Sequence, residues 1–141
     1  MSTQLKPASS AIVIDGDRYL LVRRANPPAK DLFAFPGGRA EPGETPDETA
    51  LRELAEETGL SGDNPRLFAT YELSGKTGGG YFLSVFLVDC RERRDVTALD
   101  DALEAGWYSA ADLARIPVPD SVADCITRLE AWRTTGAWPE I

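Results

Sequence analysis

The chain has 141 residues, of which 43% are hydrophobic and 27% charged, a composition typical of a globular protein with a real core. Its formal net charge of -8 argues against recognition of a nucleic-acid backbone, because proteins that bind one present a basic face. The absence of histidine excludes histidine-based triads and histidine metal sites, and no apolar run is long enough to span a membrane.

The first part of the chain predicts a hairpin that ends in two arginines. Residues 11–15 and 19–23 are nearly continuous apolar strands around a Gly-Asp turn, and such runs predict burial on both faces. Arg23 and Arg24 stand at the end of the second strand. Arginine can hold phosphate through paired donors, so both are candidate substrate contacts. A solvated strand end is the alternative.

A proline-rich loop at residues 26–30 leads into a short strand at 32–35 and then two glycines. Phe35 adjoins the glycines and is a candidate for contact with a base, with core packing as the alternative. Gly37 and Gly38 allow unusual backbone angles and close approach of a ligand to main-chain atoms. This segment therefore predicts a turn at which a ligand can bind.

The stretch after the glycines has the start and stop signals of a helix. Thr45 is a good N-cap, Pro46 suits the first helical position, and Glu48 can complete a capping box. Gly59 suits a left-handed C-cap. The sequence therefore predicts a helix over residues 46–58.

This helix has an apolar side and an acidic side. At about 100° per residue, the stripe predicted to face the core contains Leu51, Leu54, Ala55 and Thr58. The opposite side carries Glu53, Glu56 and Glu57, and the loop before the helix adds Glu41 and Glu44. Each close pair of like charges costs an isolated helix roughly 0.2–0.5 kcal/mol, and hard divalent cations bind carboxylate oxygens. The pattern predicts a cation site; a solvated acidic face is the alternative.

The remaining elements complete an α+β order. Strands are predicted at residues 66–74, 81–89 and 105–108, with a glycine-rich tip at 75–80 and a charged turn at 91–95. A short helix is predicted at 110–115 and a last one at 120–134, capped by Asp120 and ended by Gly136. Mixed strands with helices on both faces predict a three-layer α/β/α sandwich. Cys90 and Cys125 predict reduced core thiols.

Residues 38–60 resemble the signature of the Nudix hydrolases at every defining position. The pattern consists of Gly38, Glu44 after five residues, Arg52-Glu53 after seven more, then Leu54, Glu56-Glu57, Gly59 and Leu60. The chain is similar to small bacterial members of the MutT-like and ADP-ribose pyrophosphatase-like kinds. The resemblance implies one Nudix domain over residues 1–141, with the Nudix fold and a mixed central sheet.

The resemblance also implies the chemistry. Family members use Mg²⁺ or Mn²⁺ to hydrolyse a nucleoside diphosphate linked to another group. By similarity, Glu53, Glu56 and Glu57 are the catalytic, metal-binding carboxylates, with the Gly38 carbonyl as a further ligand. Arg52 and Glu44 would orient these carboxylates. Glu53 is a candidate general base, and a glutamate from a later loop is the alternative.

An additional acidic ligand before the strand at 105–108 is common in the family. Its candidates are Asp100, Asp101 and the preferred Glu104, with a solvated acidic loop as the alternative. The candidate substrate-binding residues are Arg23, Arg24, Phe35 and Glu41. The resemblance favours Arg24 over Arg23, because an arginine in this region often faces the nucleotide in the family.

The favoured substrate is ADP-ribose or a nucleotide sugar, and the alternative is a triphosphate, as for an enzyme that removes oxidised nucleotides. A non-catalytic nucleotide sensor is the alternative from another class, although the intact glutamates favour an enzyme. The expected location is the cytoplasm, because no signal peptide is recognised, and the expected partner is a small nucleotide rather than a nucleic acid or a membrane. Dimers are common in the family, so a homodimer remains open.

Overall fold

The computed structural model describes residues 5–26, 30–74, 79–91, 96–100 and 102–136. The strands are β1 (Lys6–Ile12), β2 (Ile14–Asp15), β3 (Arg18–Arg24), β4 (Phe33–Ala34), β5 (Gly37–Arg39), β6 (Asp63–Ser74), β7 (Gly80–Asp89) and β8 (Ala102–Ser109). The helices are α1 (Pro46–Thr58), a 3-10 helix (Ala110–Ala114) and α2 (Asp120–Thr135). Most of the predicted glycine-rich tip and charged turn, part of the proline-rich loop, and Asp101 lie outside the described residues.

The strands form a mixed sheet and an antiparallel sheet. The mixed sheet has the order β5-β1-β7-β6, in which β1 and β7 are parallel and the other two pairings are antiparallel. In the second sheet β3 pairs antiparallel with β2, β4 and β8. The chain passes from the first sheet to the second at Val13, between β1 and β2.

Apolar side chains of these strands alternate between two cores. The core under α1 contains Ala11, Val13, Leu20, Ala50, Leu54, Leu60, Phe86, Val88 and Cys90. The core under α2 includes Ile12, Tyr19, Leu21, Val85, Leu87, Val122, Cys125, Ile126 and Leu129. Because successive side chains of a strand point to opposite faces, the apolar runs in β1, β3 and β7 supply both cores. The predicted three-layer α/β/α sandwich, with its strands buried on both faces, is confirmed.

Three strands extend beyond their predicted limits. β1 begins at Lys6 instead of residue 11, because its serine-containing first half pairs with both β5 and β7. Serine and proline are weak strand formers, so tertiary pairing overrides local preference here. β6 includes part of the predicted loop at 61–65, through irregular pairing where Asn64 has a φ of 53°. β8 begins at Ala102 because it pairs with β3 along its whole length.

The helices follow their predicted boundaries closely. α1 covers the predicted residues, the Thr45 amide donates to Glu48 Oε1 at 2.9 Å, and Gly59 closes the helix with a φ of 78°. Gly136 ends α2 in the same left-handed conformation, at 73°. The prediction that Asp120 is the cap of α2 is wrong by one position, because Pro119 holds the extended cap conformation and Asp120 is the first helical residue.

Several general expectations can be compared with the described ranges. In those ranges, no helix is long and apolar enough to cross a membrane. Cys90 and Cys125 are both buried and form no disulfide with each other, which confirms their prediction as core thiols. The homodimer, the cytoplasmic location and the single-domain boundaries remain predictions.

Candidate active site

The glycines of β5 bring its backbone against two other parts of the molecule. Gly37 and Gly38 pair with Ser10 and Ser9 of β1. A Cβ added at Gly37 would lie 2.5 Å from the Ser9 carbonyl oxygen, and one added at Gly38 would lie 2.5 Å from Glu53 Oε2. The backbone approach to β1 therefore requires glycine at position 37, and the absence of a side chain at Gly38 lets the Glu53 carboxylate lie against the β5 main chain.

Arg52 is the centre of the polar network between α1 and the preceding loop. Its Nε and Nη2 donate to the two oxygens of Glu44 at 2.6 and 3.0 Å, and Nη2 also donates to the Arg39 carbonyl at 3.0 Å. Its Nη1 donates to Glu53 at 3.1 Å and to Glu56 at 2.9 Å. A guanidinium has five N–H donors, and these five bonds employ all of them. Hydrogen bonding to Glu44 raises the pKa of Arg52, so the residue is a fixed positive charge.

Glu44 anchors this network to the loop before α1. Beside its two bonds to Arg52, its Oε1 accepts the Glu41 amide at 2.9 Å and the Thr49 hydroxyl at 2.8 Å. The hydrogen bond from Arg52 is the largest of the effects that lower the pKa of Glu44 to about 2. Glu44 is therefore an acceptor-only carboxylate over the whole physiological pH range.

Glu57 faces inward, which corrects the predicted orientation of α1. Glu57 is only 5% exposed, whereas Ala55, which is predicted to face the core, is exposed. The glycines of β5 have no side chains to fill the space beside the helix, and the carboxylates of Glu53 and Glu57 occupy it. Exposing the small Ala55 loses little apolar burial.

Burial is the main reason that the pKa of Glu57 is raised, and its hydrogen bond and repulsion with Glu53 add to the effect. The charge of Arg24 and a hydrogen bond from the Gly37 backbone oppose it. Without a cation, Glu57 therefore retains its proton at neutral pH. A bound cation would reverse the balance, because its charge favours the ionised carboxylate.

A cavity of roughly 530 Å³ lies between β5, α1 and the start of α2. The candidates from the sequence that line it are Arg24, Phe35, Gly38, Glu41, Arg52, Glu53 and Glu57. Arg24 Nη1 donates to the Gly37 carbonyl at 3.3 Å, so its guanidinium lies at the mouth formed by the glycines. The cavity therefore combines carboxylates, guanidinium groups and an aromatic wall.

Arg23 and Glu104 lie outside that cavity, contrary to their predicted roles. Arg23 Nη1 donates to Glu104 Oε1 at 3.0 Å across the β3–β8 pair. The pairing register shifts between Arg23 and Arg24, and neighbouring strand residues point to opposite faces. Arg24 therefore reaches the cavity and Arg23 does not. The carboxylate of Glu104 is held by Arg23, so the structure does not bring it to the proposed metal ligands.

Some cavity residues were not singled out from the sequence. The apolar wall comes from Leu73, Tyr81 and Leu83, and polar groups come from Asn26, Arg39 and Ser121. The alternation of Tyr81, Leu83 and Val85 along β7 indicates a shared face, but nothing local identifies that face as a cavity wall. Such residues require the tertiary arrangement.

The oxygen donors at this site suit a hard divalent cation. Glu53 and Glu57 are adjacent, and the Gly38 main chain lies against Glu53. In the described part of the chain, however, no three acidic or sulfur-bearing side chains are grouped tightly enough to hold an ion. The reason is that Arg52 holds Glu56, which is 43% exposed, on the outer side of Glu53. Glu56 must separate from Arg52 to join a cation at Glu53 and Glu57.

Without metal, Glu57→Gln is expected to stabilise the protein increasingly as pH rises. The folded wild type keeps the Glu57 proton above the ordinary pKa of 4.5 of the unfolded chain, so its stability falls as pH rises through that range. The amide keeps the shape and has no charge to bury. The gap between the unfolding free energies of variant and wild type should grow by at most about 1.4 kcal/mol per pH unit above pH 4.5.

The measurement is denaturant unfolding in excess chelator between pH 4.5 and 8. Glu72→Gln, at an exposed position of β6, is the control and should show a gap that does not vary with pH. A constant gap for Glu57→Gln as well would contradict the inward, protonated state of Glu57.

The fold and the site together define an α/β/α protein with an oxygen-rich cavity beside a capped helix. The family model described as NUDIX domain matches residues 4–129. The chain is 33% identical over 111 residues to the ADP-ribose pyrophosphatase of Methanocaldococcus jannaschii, covering 75% of this chain and 66% of that protein. It therefore spans slightly less than two thirds of that relative. The chain belongs to the Nudix family.

Solved structures agree with this assignment. A NUDIX hydrolase from Nitrosomonas europaea has a TM-score of 0.77 at 24% identity, with 97% of this chain and 94% of that chain covered. A bifunctional NMN adenylyltransferase/ADP ribose pyrophosphatase from Francisella tularensis, complexed with AMP and a Mn ion, has a TM-score of 0.71 at 26% identity. That match covers 92% of this chain and 42% of the other. The fold is the one these proteins share.

Proposed function

We propose that this protein hydrolyses the pyrophosphate bond of a nucleoside diphosphate linked to another group, with Mg²⁺ or Mn²⁺ as cofactor and ADP-ribose as the favoured substrate. The observation that carries the proposal is that two glutamates of α1, Glu53 and Glu57, line a cavity, and that Arg52 donates a hydrogen bond to Glu53. The archaeal relative named ADP-ribose pyrophosphatase and the Francisella complex with AMP and a Mn ion support the substrate class and the cofactor.

The cation would be held by the Gly38 carbonyl and by Glu53, Glu56 and Glu57. When bound, such an ion neutralises phosphate charge and lowers the pKa of an attacking water. Arg52 and Glu44 hold the Glu53 carboxylate in place, because Glu44 receives two of the five Arg52 donors. Glu53 is our candidate to accept the proton of the water that attacks phosphorus. The Glu57 proton must leave before that carboxylate can bind a cation.

The remaining cavity groups would hold the substrate. Arg24 presents a guanidinium at the glycine edge, where it can pair with phosphate oxygens. Phe35 is buried under the cavity, and with Tyr81 it offers apolar surface to a base or a sugar. Glu41 lies near Arg52 Nε at 3.4 Å on the exposed rim, where it can accept a hydroxyl group of the substrate.

Arg24→Ala is expected to raise KM by about 10- to 100-fold and to change kcat much less, because one hydrogen bond to a charged group is lost in binding. The matched control is Arg23→Ala, which removes the neighbouring guanidinium together with its ion pairs to the exposed carboxylates of Glu104 and Asp31. Exposed pairs contribute little, so the control should change KM by less than about threefold. Steady-state kinetics on both variants measure this, and equal changes in KM would contradict the assignment of Arg24.

The function itself is tested with a panel of ADP-ribose, nucleotide sugars and nucleoside triphosphates, assayed with Mg²⁺, with Mn²⁺ and with excess chelator. We expect AMP and ribose phosphate as the products from ADP-ribose, and no turnover in chelator. Preference for triphosphates would favour the alternative substrate class. Binding of nucleotides without turnover on any member of the panel would favour a sensor, and turnover in chelator would refute the cation-dependent mechanism.

A further inference from the structure

Thr49 is a polar side chain at a fully buried position of α1. Its neighbours on the buried side of the helix, Ala50 and Leu54, are apolar. Burying a hydroxyl costs free energy unless it makes a hydrogen bond, and a valine would fill nearly the same space without that requirement. The role of Thr49 therefore depends on the groups that its hydroxyl contacts.

The Thr49 hydroxyl donates to the loop that precedes the helix. Its Oγ1 lies 2.8 Å from Glu44 Oε1 and 3.2 Å from the Thr45 carbonyl oxygen. A hydroxyl has one proton, and the ionised Glu44 is the nearer and stronger acceptor. Thr49 therefore makes a charge-assisted hydrogen bond to Glu44 from inside the helix.

That bond completes the set of donors around Glu44. Oε1 receives Thr49, the Glu41 amide and Arg52, whereas Oε2 receives Arg52. Of these donors, only Thr49 holds the carboxylate from the buried side of α1. Without it, Glu44 can rotate, and the paired oxygens that align the Arg52 fork would move with it.

We propose that Thr49 is a positioning residue whose hydroxyl holds Glu44, and through Glu44 and Arg52 the Glu53 carboxylate, in the geometry needed for cation binding and hydrolysis. The inference rests on the proposed function of this site. In this inference the site gains a residue that contacts neither cation nor substrate. The hydroxyl of that residue can be removed by a substitution that keeps the side-chain volume. Cation binding and hydrolysis should depend on the Thr49 hydroxyl rather than on its methyl group, because the hydroxyl makes the hydrogen bond to Glu44.

Thr49→Val tests the hydroxyl with the volume kept. Partners one step removed from a metal ligand typically change affinity or activity by about 10- to 100-fold, and Thr49 lies further out, so we expect about a tenfold loss. The loss should appear in kcat and in Mn²⁺ affinity measured by calorimetry, with KM little changed. In the metal-free protein, the Nε–H resonance of Arg52 should shift and exchange faster with solvent. Thr49→Ser should restore all of these properties.

A matched control is Thr134→Val, which removes a hydroxyl bonded at 3.0 Å to the Glu130 carbonyl of α2, away from the cavity. If Thr49→Val does not fold, the pair Thr49→Ala and Thr49→Ser isolates the hydroxyl, because both lack the methyl group. Wild-type Mn²⁺ affinity and kcat in the valine or alanine variant, or equal impairment of the serine variant, would overturn the proposal.

The Arg52 resonance separates this inference from the proposed function. A wild type that neither binds Mn²⁺ nor hydrolyses the panel refutes the function, but the metal-free resonance still reports whether Thr49 holds Arg52 through Glu44. A resonance unchanged by loss of the hydroxyl overturns the positioning role in either case.

Discussion

Glu53→Gln is expected to lower kcat by about 10²–10⁴-fold, the range for loss of a positioned proton acceptor, while the protein stays folded. The amide keeps the shape of the side chain that lies against Gly38, so the contact between α1 and β5 is preserved. It loses the negative charge of the carboxylate, which accepts a hydrogen bond from Arg52 at 3.1 Å and is proposed to bind a cation. It also replaces the charged acceptor of the Glu57 proton with a neutral amide oxygen, so the hydrogen bond between these two side chains becomes weaker.

The measurements are initial rates at saturating Mn²⁺ and substrate, together with thermal unfolding in chelator. Glu48→Gln is the matched control, because it makes the same change on the same helix and glutamine can also complete a capping box at that position. The control should keep kcat near that of the wild type. A Glu53→Gln variant with wild-type kcat would remove Glu53 from the chemistry and leave the acidic face without the role proposed here.

Arg52→Lys is expected to lower kcat by about 10- to 100-fold, because a lysine can supply the charge but not the five directed donors. The ammonium cannot hold both oxygens of Glu44 and reach Glu53, Glu56 and the Arg39 carbonyl at the same time. Arg52→Gln removes the charge as well. It should also lower the midpoint of chemical unfolding, because Glu44 and Glu53 would lose the guanidinium that neutralises them.

Arg66→Lys is the control for this pair of variants. Arg66 donates to Asp89 at 2.6 Å and to the Asn64 carbonyl at 3.1 Å, in a part of the mixed sheet outside the cavity. Its replacement should leave kcat unchanged. Chemical unfolding in chelator measures the stability, and steady-state rates with Mn²⁺ measure the catalysis. Lysine at position 52 with full kcat would show that charge alone suffices there, and would contradict the network as the orienting device.

The signals that predicted α1 are local, and they were sufficient. Thr45 and Pro46 mark the start of the helix and Gly59 marks its end, because caps act through backbone groups in the first and last turns. The strand at 81–89 is predicted for the same kind of reason, whereas the predicted strand at 11–15 is divided at Val13 between β1 and β2, which belong to different sheets. Local signals do not identify pairing partners, so they do not predict the start of β1 at Lys6. This segment forms a strand because it pairs with β5 and β7, which lie far along the chain.

The site shows the same division. Periodicity placed Glu53, Glu56 and Glu57 together on the helix surface, but it could not say how the helix is rotated against its neighbours. Close packing on the β5 glycines turns Glu57 inward and leaves Ala55 exposed. Likewise, residue type alone makes Arg23 and Arg24 equal candidates, and only the family resemblance favours Arg24. The β3–β8 register places Arg24 at the cavity, whereas Arg23 pairs with Glu104.

The order of residues from Gly38 to Leu60 by itself determined the family, the capped helix and the set of acidic groups available for a cation, since those depend on residue type and short spacing. Only the tertiary structure decided which carboxylate is buried, which arginine lines the cavity, and that the Thr49 hydroxyl donates to Glu44. The physical reason is that burial and electrostatic environment arise from groups brought together across the sheets, and no spacing within one segment encodes them.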